Sequence, residues 1–152
     1  MCGLSGEFIH IGNLAIPEGG GKKIYSINEG NYSLWDDKIK SGVDAFKGLT
    51  GEKPYSARYV GSMVSDVHRT LLYGGIFMYP ADSKSKSGKL RVLYEGFPMA
   101  LITEAAGGVA STGFFNGKVG RILDIAPSDI HERCPIIMGC ERDVTKVTSL
   151  YE

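Results

Sequence analysis

Strand-like and helix-like apolar patterns alternate along the whole of this 152-residue chain, and that alternation restricts its fold more than any single motif. Residues 23–28 alternate in the manner of a half-buried strand, whereas residues 63–73 place apolar side chains at helical spacing. Strands interleaved with helices are typical of a mixed β-sheet with helices packed on its faces. We therefore expect an α/β layered sandwich domain over residues 1–152.

The same patterns predict the order of the elements. Predicted strands cover residues 8–11, 23–28, 76–79, 90–94, 109–112, 121–125 and 135–138. Predicted helices cover residues 32–46, 63–73, 98–106 and 143–151. Asn31 and Ser62 are the expected N-caps of the first two helices. The inner face of the second predicted helix carries Val64, Val67 and Leu71.

The net charge of the chain and the lengths of its apolar runs argue against two classes of partner. Lys plus Arg and Asp plus Glu number 17 each, so no net field attracts nucleic acid or an anionic membrane. No apolar run approaches the roughly 20 residues that cross a bilayer, and the first residues lack the basic and apolar regions of a signal peptide. We expect a cytoplasmic protein with no nucleic-acid and no membrane partner.

The three cysteines, Cys2, Cys134 and Cys140, form no CxxC pair and suit a reducing compartment. We expect packed free thiols rather than a redox centre. His131 lies near Asp129 and Cys134 in the sequence, which leaves a Cys–His pair or a metal site open, although a loop or core histidine is the simpler interpretation.

Residues that suit phosphate binding stand directly before the second predicted helix. Arg58 offers a planar fork of donors, Tyr59 adds a hydroxyl, and Gly61 permits close approach of the backbone. The helix start adds unpaired N–H groups. The alternative interpretation is an ordinary capped helix.

Three further candidate ligand-binding or metal-binding residues flank predicted strands. Tyr79 ends one strand and Lys89 begins the next, so the two can face a common ligand across the polar turn between them. Glu95 ends the return strand just before Pro98 starts a helix. A carboxylate there can bind Mg²⁺, whose shell takes oxygen ligands. The alternative is an acid favoured by the helix dipole.

Four segments together resemble the class I fructose-1,6-bisphosphatases. They are KIYSINEGN (23–31), YSARYVGSMVSDVHRTLLYGGIFMYPAD (55–82), GKLRVLYEGFPMALITEAAGG (88–108) and ILDIAPSDIHERCPIIMG (122–139). Within the third, GKLRVLYEGFPMA fits the family's signature around its metal-binding glutamate. The resemblance covers nearly the whole chain in order, which makes it far more specific than a short motif.

The resemblance implies the C-terminal, sugar-phosphate-binding domain of the fructose-1,6-bisphosphatase and inositol monophosphatase superfamily. Such enzymes hydrolyse the 1-phosphate of fructose 1,6-bisphosphate, use Mg²⁺ or Mn²⁺, and assemble as homotetramers. It implies that the 6-phosphate is held by Asn28, Tyr59, Tyr79 and Lys89. It places the segment Gly61, Ser62 and Met63 against the sugar. It makes Arg58 the arginine that reaches a neighbouring subunit's site, and Glu95 the catalytic metal ligand.

The chain also departs from the family pattern. Asn31 stands where many members have a tyrosine, and residues 113–120 are longer than the usual connection, so we expect a surface loop there. The aspartate-rich motif that supplies the family's other metal carboxylates is not found. We therefore expect that the N-terminal metal and AMP half is absent and that the chain alone hydrolyses little substrate. The alternatives are a sedoheptulose-1,7-bisphosphatase or a non-catalytic sugar-phosphate-binding module, and a chloroplast location is possible on the same resemblance.

Overall fold

Eight strands and four α-helices make up the part of the chain that the computed structural model describes, which is residues 3, 4 and 6–152. The strands are β1 (Ile24–Ser26), β2 (Ser56–Ala57), β3 (Ile76–Tyr79), β4 (Leu90–Arg91), β5 (Val109–Phe115), β6 (Lys118–Arg121), β7 (Arg133–Cys134) and β8 (Ile136–Gly139). The helices are α1 (Asp37–Phe46), α2 (Met63–Tyr73), α3 (Phe97–Ala105) and α4 (Glu141–Thr148). Among these residues, no helix combines the length and apolarity that a membrane crossing requires.

Six of the strands form one mixed sheet in the order β2-β1-β3-β8-β5-β6. Strand β1 runs parallel to both β2 and β3, and the remaining pairs are antiparallel. Strands β4 and β7 pair separately as a short antiparallel ribbon. The carboxyl ends of β1, β2 and β3 therefore lie at one edge of the sheet.

Each face of the sheet buries its own apolar cluster. Ile76 and Met78 of β3 pack with residues of α1 and α4, whereas Phe77 between them packs with residues of α2 and α3. Alternate residues of a strand point to opposite faces, so one short strand contributes to both clusters. The helices thus cover both faces, and the predicted α/β layered sandwich is confirmed.

The first helix begins later than the sequence predicted. Residues Glu29–Leu34 form a 3₁₀ helix, and α1 starts only at Asp37. The N-cap is Asp36, whose Oδ1 accepts a hydrogen bond of 2.8 Å from the backbone N–H of Ile39, so the expected cap at Asn31 is wrong. Trp35 causes the break, because it adopts an extended conformation that buries its side chain.

Burial also corrects the inner face of α2. Val67 and Leu71 lie in the core as predicted, but Val64 is 59% exposed. Asp66 is fully buried on this helix, whereas the apolar spacing predicted a buried side chain at Val64. Ser62 precedes the helix but makes no side-chain cap bond to it.

Three strand predictions are wrong. Residues 8–11 are irregular and exposed, and residues 122–124 form a 3₁₀ turn. Of residues 90–94, only Leu90 and Arg91 form a strand, and Val92–Gly96 form a π-helical turn that runs into α3. Val92 and Gly96 are buried whereas the residues between them are more exposed, so the apolar run follows a helical rather than a two-residue period.

Residues 113–120 form a β-hairpin rather than the expected surface loop. Strands β5 and β6 pair through Phe114 with Val119 and Phe115 with Lys118. The turn residues Asn116 and Gly117 have φ of 52° and 82°, and positive φ at both central residues is what a type I′ turn requires. The Asn-Gly dipeptide was the sequence signal for this hairpin.

The buried free thiols Cys134 and Cys140 should resist alkylation in the folded protein. Burial raises the pKa of Cys134 to about 12 and that of Cys140 to about 11, so little thiolate exists at pH 8. Iodoacetamide should leave both unmodified in buffer and modify both in denaturant, as measured by mass spectrometry of the digested protein. Rapid native labelling of either thiol would contradict the packing. Cys2 lies outside the described residues.

Candidate functional site

The carboxyl ends of the three parallel strands gather several of the predicted binding residues. Ser26 of β1 pairs with Phe77 of β3, so Asn28 and Tyr79, each two residues further on, leave the sheet side by side. Arg58 follows β2 directly and extends the ladder, because its N–H donates to the carbonyl of Tyr25 at 2.9 Å. Ligands of open α/β sheets bind at this kind of edge.

Asn28 is half-buried and shapes the chain where it leaves β1. Its side-chain oxygen accepts a hydrogen bond of 3.2 Å from the backbone N–H of Gly30 and so caps the 3₁₀ helix that follows. The amide is therefore held at the sheet edge by local backbone geometry.

A buried carboxylate, Asp66, organises the loop between β2 and α2. Its oxygens accept hydrogen bonds from the backbone N–H groups of Val60, at 3.1 and 3.2 Å, and Gly61, at 3.2 Å. They also accept from the hydroxyl of Ser26 at 2.9 Å and from Nη2 of Arg69 at 2.7 Å. One fully buried side chain thus ties the loop to the sheet and to its own helix.

The sequence patterns assign Asp66 no role. A signal did exist, because the position lies beside Val67 and one turn before Thr70, both buried on the inner face of α2. A carboxylate on a buried helix face must be paired and hydrogen-bonded. The direction of its bonds, back to the preceding loop, needed the folded structure.

The segment Gly61, Ser62 and Met63 joins this loop to α2. Gly61 has φ of +86°, a conformation that side chains rarely adopt, so glycine is needed there for backbone reasons. Ser62 is exposed and its Oγ accepts a weak bond of 3.4 Å from Ser65. Met63 is half-buried against the same cluster that Tyr79 contacts.

Lys89 lies near Tyr79, and Tyr79 interacts electrostatically with Tyr59. Nζ of Lys89 is 5.9 Å from the ring centroid of Tyr79. Burial, and then the proximity of Tyr79 and Asp66, raises the pKa of Tyr59 above its ordinary value. The Tyr59 phenol therefore stays protonated near neutral pH and can donate a hydrogen bond to an anion.

Arg58 faces a different direction. Its Nη1 donates to the carbonyl of Ala57 at 2.8 Å, and its side chain lines a cleft with Lys22, Lys53 and Arg69. Neither Tyr79 nor Lys89 lines that cleft. Within one chain, the structure separates Arg58 from the Tyr79–Lys89 pair.

Glu95 lies in the π-helical turn rather than at the end of a strand. Its Oε2 accepts a 2.6 Å hydrogen bond from the backbone N–H of Arg91 and is 3.7 Å from Nη1 of the same residue. Across residues 3, 4 and 6–152, no three His, Cys, Asp or Glu side chains are grouped to hold a metal ion. Mg²⁺ and Mn²⁺ need several oxygen ligands, so these residues alone do not make a complete site.

The His131 alternatives are not supported by the geometry. The ring Nδ1 of His131 is 2.9 Å from the hydroxyl of Tyr94 on the surface, while the thiol of Cys134 is fully buried. The loop-histidine interpretation agrees with this arrangement.

The chain belongs to the family of the fructose-1,6-bisphosphatase C-terminal domain. The model of that domain matches residues 16–152. The predicted resemblance is thereby confirmed.

Individual relatives agree with the family. The chain is 54% identical over 145 residues to fructose-1,6-bisphosphatase 1, chloroplastic, of Arabidopsis thaliana, covering 93% of this chain and 33% of that protein. It is 53% identical over 148 residues to the cytosolic fructose-1,6-bisphosphatase of Oryza sativa subsp. indica, covering 96% and 42%. The chain thus spans roughly a third to two fifths of these relatives' length.

A solved structure shares the fold. The crystal structure of Leishmania major fructose-1,6-bisphosphatase in holo form superposes with a TM-score of 0.82 at 44% identity. The match covers 91% of this chain and 40% of that chain.

Asp66→Asn should destabilise the fold strongly. An amide cannot accept all the bonds that the carboxylate accepts, and it leaves the half-buried Arg69 guanidinium unpaired. Breaking a buried ion pair in this way costs about 3 kcal/mol, which should appear in the free energy of unfolding by urea. Asp124→Asn, which removes an exposed ion pair with Arg121, is the matched control and should change nothing measurable. Equal effects of the two changes would contradict the role of Asp66.

Proposed function

We propose that this chain is the sugar-phosphate-binding part of an enzyme that hydrolyses the 1-phosphate of fructose 1,6-bisphosphate, releasing fructose 6-phosphate and phosphate. The main support is the approach of Lys89 to Tyr79 at the carboxyl edge of parallel strands, in a chain of this family. The relatives named above are fructose-1,6-bisphosphatases, which favours this substrate.

In this proposal the 6-phosphate, which does not react, is held by Asn28, Tyr59, Tyr79 and Lys89. The phenols and the amide donate hydrogen bonds, and the ammonium group of Lys89 supplies a point charge. Gly61, Ser62 and Met63 lie along the sugar. Fixing the distant phosphate orients the sugar, and correct orientation lowers the barrier of the reacting step.

The orientation of Arg58 supports a role between subunits. Its side chain is exposed and lines a cleft that Lys89 of its own chain does not line. We propose that Arg58 contacts the 6-phosphate bound by a neighbouring copy in a homotetramer. A guanidinium suits this task because its fork can grip two phosphate oxygens.

Glu95 is the proposed metal ligand and catalytic carboxylate of this chain. A bound Mg²⁺ or Mn²⁺ would neutralise charge on the transferred phosphoryl group. Glu95 is oriented for such a role by the hydrogen bond from Arg91 N–H. Because Glu95 supplies only one carboxylate, we expect the remaining ligands to come from sequence that matches the rest of the relatives, and the chain alone to release phosphate negligibly.

The small number of metal-binding carboxylates favours a second candidate function. The absence of a carboxylate cluster among the described residues is what a sugar-phosphate-binding module without catalysis would show. A chimera in which this chain replaces the matching segment of the Arabidopsis thaliana relative decides between the two. Phosphate release from fructose 1,6-bisphosphate supports the enzyme, and a folded but inactive chimera supports the module.

The same proposal allows two compartments for this chain, the cytoplasm and the chloroplast. The relatives include chloroplastic and cytosolic proteins at nearly equal identity. We place this chain in the cytoplasm, with the chloroplast as the alternative. Fluorescent fusion of the complete gene product would decide between them.

Lys89→Ala in that chimera should raise KM for fructose 1,6-bisphosphate by roughly ten- to hundredfold with little change in kcat, because it removes a charge-assisted bond to the distant phosphate. Steady-state kinetics measures both constants. Lys84→Ala, which removes an exposed lysine of the same turn, is the control and should leave KM unchanged. A normal KM in the Lys89 variant would refute the assignment.

Glu95→Gln in the chimera should lower kcat roughly hundredfold or more and shift activation to higher metal concentration, since it removes a negative ligand. Titration of activity with Mg²⁺ measures both effects. Glu141→Gln, at an exposed position of α4, should behave as the unmodified chimera. Ordinary turnover and metal dependence in the Glu95 variant would exclude it from the metal site.

A further inference from the structure

A cleft of about 610 Å³ beside the edge strand β2 is lined by five cationic side chains. They are Lys22, Lys23, Lys53, Arg58 and Arg69. None of the lining residues is acidic. Three separate parts of the chain supply these cations: the start of β1, the loop around β2, and α2.

The described chain compensates only part of the charge of this cationic cleft, because Asp66 pairs with Arg69 at 2.7 Å and Glu52 interacts electrostatically with Lys23. The protein as a whole has 17 basic and 17 acidic residues, so five cations in one concavity are a strong local excess. Lys22, Lys23, Lys53 and Arg58 have no ion-pair partner within 4 Å in residues 3, 4 and 6–152. Like charges this close repel, and a concave surface concentrates their field.

Contacts with other side chains hold three of these cations in place. Nζ of Lys22 lies 4.5 Å from the ring centroid of Tyr73, and Nζ of Lys23 lies 5.5 Å from that of Tyr55. Asp66 fixes the guanidinium of Arg69 at 2.7 Å. Side chains already ordered in this way lose less entropy when a ligand binds.

Arg69 also has an unused donor. Its Nε is buried and has no hydrogen-bond partner among the described residues, although buried polar groups are nearly always paired. Arg69 itself lines the cleft.

We propose that the cationic cleft binds a small phosphorylated anion that carries at least two negative charges on its phosphate groups. Arg and Lys together suit phosphate, through forked hydrogen bonds and point charge respectively, and the volume is that of a small-molecule site. The cleft shares Arg58 with the proposed contact between subunits, but Lys22, Lys23 and Lys53 have no part in the proposed 6-phosphate pocket. A variant that changes only Lys22 and Lys53 therefore tests the cleft without altering that pocket.

Calorimetric titration of the 152-residue chain with inorganic pyrophosphate at low salt tests the proposal. We expect saturable binding that weakens as salt rises, and a loss of roughly tenfold or more in affinity for the double variant Lys22→Gln/Lys53→Gln. The control double variant Lys84→Gln/Lys118→Gln removes the same charge from exposed positions outside the cleft and should keep its affinity within about twofold. The single variants Lys22→Gln and Lys53→Gln are measured too, and circular dichroism checks that every variant is folded.

Three results would overturn the proposal. The first is no saturable binding by the unmodified chain. The second is an equal loss of affinity in the two double variants, which would show only a general charge effect. The third is loss of binding in Lys89→Gln but not in Lys22→Gln/Lys53→Gln, which would place pyrophosphate in the proposed 6-phosphate pocket instead.

Discussion

The buried carboxylate of Asp66 is the interaction on which the functional edge of this domain depends. Backbone N–H groups of the loop after β2, a hydroxyl of β1 and a guanidinium of α2 all converge on it. A buried charge is tolerable only when it is fully paired and hydrogen-bonded, so the loop, the strand and the helix must take one arrangement. The position of Tyr59 and the direction of Arg69 both follow from that arrangement.

Asp66 thereby links two surfaces with different roles. On one side of the loop, Tyr59 interacts electrostatically with Tyr79, and Tyr79 in turn lies near Lys89. These three residues belong to the group proposed to hold the sugar's distant phosphate. On the other side, Arg69 joins the cationic cleft. Both surfaces would receive anions in a protein whose total charge is zero. Local clustering, and not net charge, would therefore give this domain its proposed affinity for phosphate.

Where local pattern and tertiary packing agreed, the sequence predicted the structure closely. Residues 76–79 form β3 within the predicted limits, since a short apolar run between glycines and a polar turn has few alternatives. The prediction failed for residues 92–96, which contain strand-forming residues but coil into a turn that buries Val92 and Gly96. It failed again at Asn116–Gly117, although an Asn-Gly pair favours a two-residue hairpin turn.

The sequence by itself determined the order of most elements, the family, and the chemical types of the candidate binding groups, because these depend on local periodicity and on residue identity. Only the tertiary structure decided which groups are neighbours. The approach of Lys89 to Tyr79, the bonds from loop to Asp66, and the meeting of five cations in one cleft all join residues from different elements. Such contacts depend on strand order and on the burial of each face, and no local sequence pattern contains either.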